Sequence, residues 1–589
     1  MRRKVRVGVY VCHCGMNIAG YVDIPQLVER LQTVPDVTMV KDEKYMCSDQ
    51  GQAAIKEALR QGLIDRVVVA SCSPIMHERT FRKCVVEEGF NPYLYQQVDI
   101  RENCSWVTTD IQEATHKAYE LVKAGVSRVK TLEPLWSTEY PVTPTTLVIG
   151  GGIAGITAAT DILDAGFKVI LVERENQLGG WTRRIGKGFP HLIPVKAFLQ
   201  EKIEVLESHA GLKQYLSSEV VGLEGFPGNF QATIRQADGT TIEEEIGSII
   251  VATGFKPFDA RKKPEFAYGE STQVMTTVEM EELLDQGMAS AHGQPKEVAF
   301  IQCVGSRDQS IGKEYCSRTC CMVVAKQALL LKELVPDARI SVFYMDVRAF
   351  GKGYEEFYEK AQRSGVRYIR GNPSEVYQSG DNMIIRYEDT LLGRPQEMAV
   401  DLVVLAVGME PSEGTTELIN VLRVTGDKDG FFLEAHPKLG PLDTFSDGLF
   451  IAGCCQGPKD LPDTVAQAHG AAARATVYFH QDRVIKEPVV ASIDTEVCSG
   501  CGLCESICSF DALHLDERRK RMTVQEAICK GCGACAATCP SGTCCSIPTF
   551  METSAYGLFG MLWVSPLWRR GLHRSIPPYS QCEQTPRMN

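Results

Sequence analysis

The chain has 589 residues, 44% hydrophobic and 23% charged, with a formal net charge of -12. That length leads to roughly three or four domains, and the acidic balance argues against nucleic acid or anionic membrane as partners, because both attract basic surfaces. No signal-type segment and no run of about 20 apolar residues is found, so no membrane span is expected and the expected location is the cytoplasm.

The outlying number is 23 cysteines. In a long chain well supplied with core-forming residues, they point to metal or redox chemistry rather than to disulfides. The first 100 residues alternate strand and helix patterns: strands at Val5–Val11, Val37–Val40, Arg66–Ala70 and Pro92–Val98, helices at Pro25–Leu31, Gln52–Arg60 and His77–Glu88. This order predicts a small parallel sheet flanked by helices. Cysteines follow the apolar runs, and the carboxyl edge of a parallel sheet is where ligands collect. One cluster is therefore expected on Cys12 or Cys14 together with Cys47, Cys72 and Cys104. Cys84 falls in a helical stretch and reads as core.

A second domain opens with the apolar strand before Gly150-x-Gly152-x-x-Gly155, continues into a helix pattern, and places Glu173 at the end of the next strand. In that context the glycines admit a pyrophosphate to a helix N-terminus and the carboxylate takes ribose hydroxyls. Gly179-Gly180 after Glu173, the Ala252-Thr253-Gly254 stretch, and Leu449–Gly453 followed by a helix pattern resemble glutathione-reductase-type flavoproteins. The resemblance implies FAD, with contacts at Gly453, Gln456 and Thr464. Cys454 stands where that family usually has Asp, which removes a carboxylate contact to the ribityl chain.

Such flavoproteins carry a second nucleotide half for NADPH. Its opening strand, Glu297–Ile301, is present, but Cys303 follows it, and then Cys316, Cys320 and Cys321 enter a helix pattern. At i,i+4 spacing Cys316 and Cys320 share one helix face, and thiols at a helix N-terminus are biased toward thiolate. These four cysteines predict a [4Fe–4S] cluster in place of the nicotinamide. Lys326, on the same helix, is a candidate to tune the flavin.

Near the C-terminus, Cys498-x2-Cys501-x2-Cys504-x3-Cys508 and Cys529-x2-Cys532-x2-Cys535-x3-Cys539-Pro540 form the two-cluster bacterial ferredoxin pattern. In it the fourth cysteine of each run ligates the other cluster. Cys498, Cys501, Cys504 and Cys539 are assigned to one [4Fe–4S] cluster, and Cys529, Cys532, Cys535 and Cys508 to the other. Paired zinc knuckles would leave two cysteines of each run unexplained. Four filled sites would bind about 16 irons.

Together with Val11–Gly15, Tyr45–Ser48, Ala70–Pro74, Cys104–Trp106 and Gln456–Asp460, these motifs closely resemble the iron–sulfur flavoprotein subunit of the CoB–CoM heterodisulfide reductase family, from Val5 to about Gly542. The expected architecture is α/β. It comprises an N-terminal parallel α/β domain over 1–140 and a thioredoxin/glutathione-reductase-like FAD domain with a degenerate second nucleotide half over 141–485. An α+β ferredoxin domain follows over 486–545, and 546–589 is an atypical, disordered tail. The resemblance implies an electron-transfer oxidoreductase subunit working between hydrogenase- or ferredoxin-type donors and a separate disulfide-reducing subunit, built on a homodimeric core. In full complexes of that family the flavin can bifurcate electrons. Rival readings are a quinone-directed or sulfur-pathway subunit with the same core, and a zinc-binding regulatory protein.

Overall fold

The computed structural model describes residues 5–288 and 295–541, so the tail expected over 546–589 lies outside the described residues. The chain folds as two compact units, one made of residues 5–138 with 486–541 and the other of residues 139–485.

In the first unit, β1 (Val7–Cys12), β2 (Val37–Glu43), β3 (Arg66–Ser71) and β4 (Tyr95–Asp99) form a parallel sheet in the order β2-β1-β3-β4. Helices cover both faces, so β1 is buried along its whole length and reads as a continuous apolar run rather than an alternating one. Asp23 and Ser48 cap the helices Ile24–Gln32 and Asp49–Arg60 by accepting the N–H groups of Gln26 and Gly51, which satisfies donors that a helix start leaves unpaired.

The second unit repeats one plan twice. Its parallel strands are β5 (Thr145–Ile149), β6 (Lys168–Val172), β7 (Leu212–Tyr215), β8 (Ser248–Val251), β9 (Val274–Thr276), β10 (Glu297–Val304), β11 (Arg339–Tyr344), β12 (Arg367–Arg370), β13 (Leu402–Val407) and β14 (Leu449–Ile451). The first sheet runs β7-β6-β5-β8-β14 and the second β9-β13-β10-β11-β12. Helix α1 (Ile153–Asp164) follows β5, α2 (Cys320–Leu334) follows β10, and α3 (Leu461–Thr476) follows β14. α1 and α3 pack on one face of the first sheet through Ile156, Ala159, Ala468 and Ala472. At about 25 cal/mol per Å² of apolar area removed from water, such burial holds the carboxyl edge of the sheet in a fixed shape.

Residues 486–541 form a small ferredoxin-like body. The hairpin β15 (Leu513–Asp516) and β16 (Arg521–Val524) is antiparallel, and α4 (Leu503–Ile507) and α5 (Ala534–Thr538) each carry cysteines. Its core holds Ala491, Leu513 and Met522 among the buried thiols of Cys498, Cys504, Cys529 and Cys535. With so little apolar volume, metal ligation has to supply stability that the core does not. Glu487 accepts hydrogen bonds from Arg82 and Tyr93, each at 2.9 Å, within the first unit.

Candidate functional site

The carboxyl edge of the first sheet in residues 139–485 is a dinucleotide cradle, and each glycine has its own reason to be there. Gly150 sits at φ 110, where a side chain is strained. A Cβ on Gly155 would lie 1.8 Å from the Gly150 carbonyl oxygen, so only glycine lets α1 start this close to the strand. A Cβ on Gly152 would meet nothing within 4 Å, which leaves open space for a ligand at the N-terminus of α1. Gly152 is the N-cap and offers no side-chain cap, so the first-turn N–H groups face that space. Glu173 follows β6, and its carboxylate accepts the N–H of Gly151 at 2.6 Å and of Glu175 at 2.8 Å. The N–H of Gly179 donates to the Gly151 carbonyl at 2.7 Å, which brings the Gly179-Gly180 pair onto the loop.

The same edge continues over β8 and β14. Thr253 Oγ1 is buried with no protein partner, as expected of a hydroxyl that meets a bound cofactor. Gly453, at φ 78, packs against Ala154 of α1 and Thr464 of α3, and its N–H donates to Gln467 at 2.7 Å. Gln456 bridges Gln467 and Glu434. The Cys454 thiol turns back to the Lys459 carbonyl at 3.4 Å, so the expected carboxylate contact has no substitute there. Burial pushes the Cys454 thiol up and that of Cys455 to about 11. These residues fit FAD.

In the second sheet, the register between β10 and β13 breaks between Ile301 and Val304, and Cys303 takes φ 62. Such a bulge re-aims one side chain, and here it turns Cys303 toward α2. Cys303, Cys320 and Cys321 are close enough to share protons. The Cys320 thiol, hydrogen-bonded to both neighbours, holds that of Cys303 below its usual value and that of Cys321 at about 7. Arg348 N–H also reaches Cys321 Sγ at 3.5 Å.

The helix begins at Cys320, so the expectation that Cys316 and Cys320 share a helix face is corrected. Arg318 at φ 58 and a Thr319 N–H to Ser317 carbonyl bond of 2.6 Å form a tight turn that delays the helix. Cys316 lies on the loop before that turn, where its Sγ accepts the Arg318 N–H at 3.2 Å.

A cavity of about 750 Å³ opens beside this site. Gln302 Nε2 and Ser306 Oγ, both on its wall, are buried donors without protein partners. Cys303 is the one of the four cysteines that lines the same cavity.

Lys326 is buried, and its ammonium bonds Glu281 at 2.6 Å and the Lys187 carbonyl at 2.9 Å. Its charge is thus already paired, and burial lowers its pKa against the pull of Glu281. The sequence pattern did not flag Glu281, which no motif marks. Nor did it flag the Arg318–Asp463 ion pair of 3.0 Å, which ties the cysteine turn to the first turn of α3.

In residues 486–541, Cys498, Cys501, Cys504 and the distant Cys539 line one small cavity. Gly500 and Gly531, at φ 70 and 62, turn their N–H groups onto the sulfurs of Cys498 and Cys529, each at 3.4 Å. In the N-terminal sheet, Cys12 senses Cys14 and Cys47, and Cys72 senses Cys14 and Cys12. Arg101 donates to Cys14 Sγ at 3.1 Å. The structure does not bring Cys104 to this group, because its buried thiol points to the Ala114 carbonyl at 3.2 Å. Cys84 is core, as expected. Among the described residues no group of three or more His, Cys, Asp or Glu side chains is arranged to hold a metal ion. No described helix is long and apolar enough to cross a membrane.

Residues 144–474 match the pyridine nucleotide-disulphide oxidoreductase family, and residues 497–543 match the 4Fe-4S dicluster domain. A CoB–CoM heterodisulfide reductase iron-sulfur subunit of Methanopyrus kandleri is 41% identical, over 87% of this chain and 92% of its own length. The equivalent subunit of the H(2):CoB-CoM heterodisulfide,ferredoxin reductase of Methanothermobacter marburgensis is 40% identical, over 88% of this chain and 92% of its own. A thioredoxin reductase structure from T. acidophilum aligns over 58% of this chain and 99% of its own, at 17% identity and a TM-score of 0.41. The matched families make the chain an oxidoreductase that carries FAD and [4Fe–4S] clusters.

Proposed function

This chain belongs to the family of iron–sulfur flavoprotein subunits of CoB–CoM heterodisulfide reductase, and on that premise we propose that it is the electron-transfer subunit of a cytoplasmic complex, placed between a hydrogenase- or ferredoxin-type donor and a separate disulfide-reducing subunit. Bound FAD supplies a centre that exchanges electrons in pairs or singly, and the clusters supply one-electron stations.

The chain's own residues hold these groups. Gly150, Gly152, Gly155 and Glu173 position the dinucleotide, and Gly453, Gln456 and Thr464 shape its far end. The two ferredoxin runs hold two clusters, Cys303, Cys316, Cys320 and Cys321 a third, and Cys12, Cys14, Cys47 and Cys72 a fourth. The last set takes Cys14 in place of Cys104, following the side-chain directions above.

The observation that carries this reading is the Arg318–Asp463 pair, which ties the cysteine turn to the helix that closes the flavin edge. A one-electron centre at that turn sits beside the flavin, in the place where a hydride carrier would have docked. Among the described residues of this second half, no Gly-x-Gly-x-x-Gly turn follows β10 to admit a pyrophosphate. The test is anaerobic mixing of the purified chain with reduced ferredoxin or with NADPH. Ferredoxin is expected to bleach the flavin, and NADPH to leave it oxidised. Rapid flavin reduction by NADPH would overturn the reading.

A further inference from the structure

Lys459 is a buried lysine that the reading above does not use. Its side chain is 7% exposed, and Nζ donates to the carbonyls of Gly453 and Gly457, each at 2.9 Å, and to Gln456 Oε1 at 3.0 Å. All three acceptors are neutral.

The charged and titratable groups around it are otherwise engaged. Asp460 Oδ1 caps α3 through the Asp463 N–H at 2.9 Å, and its Oδ2 accepts the Tyr354 hydroxyl. Asp463 pairs with Arg318 at 3.0 Å and acts on Lys459 only at longer range. The thiols of Cys454 and Cys455 are buried and kept protonated by that burial. Among the described residues, Lys459 has no carboxylate in contact. A buried cation with no counter-charge is costly unless an anion arrives to meet it.

The sheet shows where that anion comes from. An extended dinucleotide with its ribose hydroxyls at the Glu173 carboxylate, after β6, and its pyrophosphate at Gly150–Gly155, after β5, has one direction left along the edge. Its other half passes over β8, with the unpartnered Thr253 hydroxyl, and reaches the loop after β14 that Lys459 ties together.

We propose that Lys459 is a positioning residue that fixes a positive charge against the flavin half of the dinucleotide, so that two-electron reduction proceeds with uptake of one proton and leaves the ring anionic. The proposal rests on the flavoprotein reading. Two electrons from the reductant and one proton from solvent enter the ring, and the remaining negative charge faces the ammonium and the N-terminal end of α3.

The test is anaerobic redox titration of the flavin in the full chain across pH, with Lys459→Gln, which keeps a donor but no charge, and Lys459→Arg, which keeps the charge. In the parent the midpoint should fall with pH at the slope for one proton per two electrons. Lys459→Gln should lower the reduction equilibrium constant about tenfold, which is about 30 mV for a two-electron couple, and steepen the slope toward two protons. Lys459→Arg should follow the parent. Parent-like potential and slope in Lys459→Gln would show that Lys459 only ties its loop, and would overturn the proposal. If Lys459→Gln does not fold, a two-proton slope in the parent overturns it equally. A parent chain without flavin would instead sink the proposed function.

Discussion

The two halves of residues 139–485 start from the same plan and part company at a single turn. In the first, Gly150 at φ 110 follows β5 and α1 begins at Ile153, so close that glycine is the only residue type at position 155 that the carbonyl of Gly150 tolerates. In the second, β10 bulges to place Cys303 at φ 62, and α2 waits until Cys320. The acidic side chains that follow the second strands differ too. Glu173 is held by two backbone N–H groups, whereas Asp346 is clamped by Arg307 through two bonds of 2.7 and 2.8 Å. A short glycine turn presents amides to a phosphate, and a long turn with thiols at a helix start presents sulfur to a metal. On the proposed reading, the equivalent edges of the two sheets serve two chemistries, decided by what fills one loop.

The largest test of this contrast is Gly155→Val. The added side chain cannot coexist with the Gly150 carbonyl, so the purified variant should lose essentially all bound flavin while keeping its iron. Retained flavin absorbance would show that the turn is not the cradle described.

Next is Glu281→Gln, which leaves the buried Lys326 ammonium unpaired. Breaking a buried pair costs about 3–5 kcal/mol, so flavin release under chemical denaturation should come at markedly lower denaturant. Lys326→Met added to it should recover most of the loss, because removing both charges leaves no unpaired group. A shift below about 1 kcal/mol in the single variant would mean that the pair is solvated.

These elements were unequally legible in the sequence. β1 and β10 announced themselves because strands buried on both faces read as apolar runs. The ferredoxin runs were legible because their ligands are local. The three-residue turn at Arg318 was not, since a non-glycine residue at positive φ leaves no mark in a hydrophobic pattern, and it moved Cys316 off the helix. Cys104 sits just past a strand like its companions, yet a turn of π-helix at Arg101–Ser105 aims it into the core. Glu281 and Lys326 meet only through the packing of two helices, and Lys459 owes its burial to a loop that no periodicity describes.

A smaller effect belongs to Arg318→Met. The Arg318–Asp463 pair is about half exposed, and such pairs contribute about 0–1 kcal/mol, so the melting temperature should barely move while the rate of electron exchange between flavin and iron falls. An unchanged rate would detach the ion pair from the proposed route.

The smallest expected response is Arg307→Ala. Freeing Asp346 restores a ribose-type carboxylate but not the glycine turn, so NADPH binding by titration calorimetry should stay undetectable. Micromolar binding would show that the second half is a blocked nucleotide site rather than a converted one.

Conversion of that half is tested most directly by counting iron, sulfide and flavin, under anaerobic purification, in the parent and in a chain with Cys303, Cys316, Cys320 and Cys321 all replaced by serine. The serine chain should hold about four fewer irons and sulfides and the same single FAD. Equal iron in the two chains would contradict a cluster in the second half.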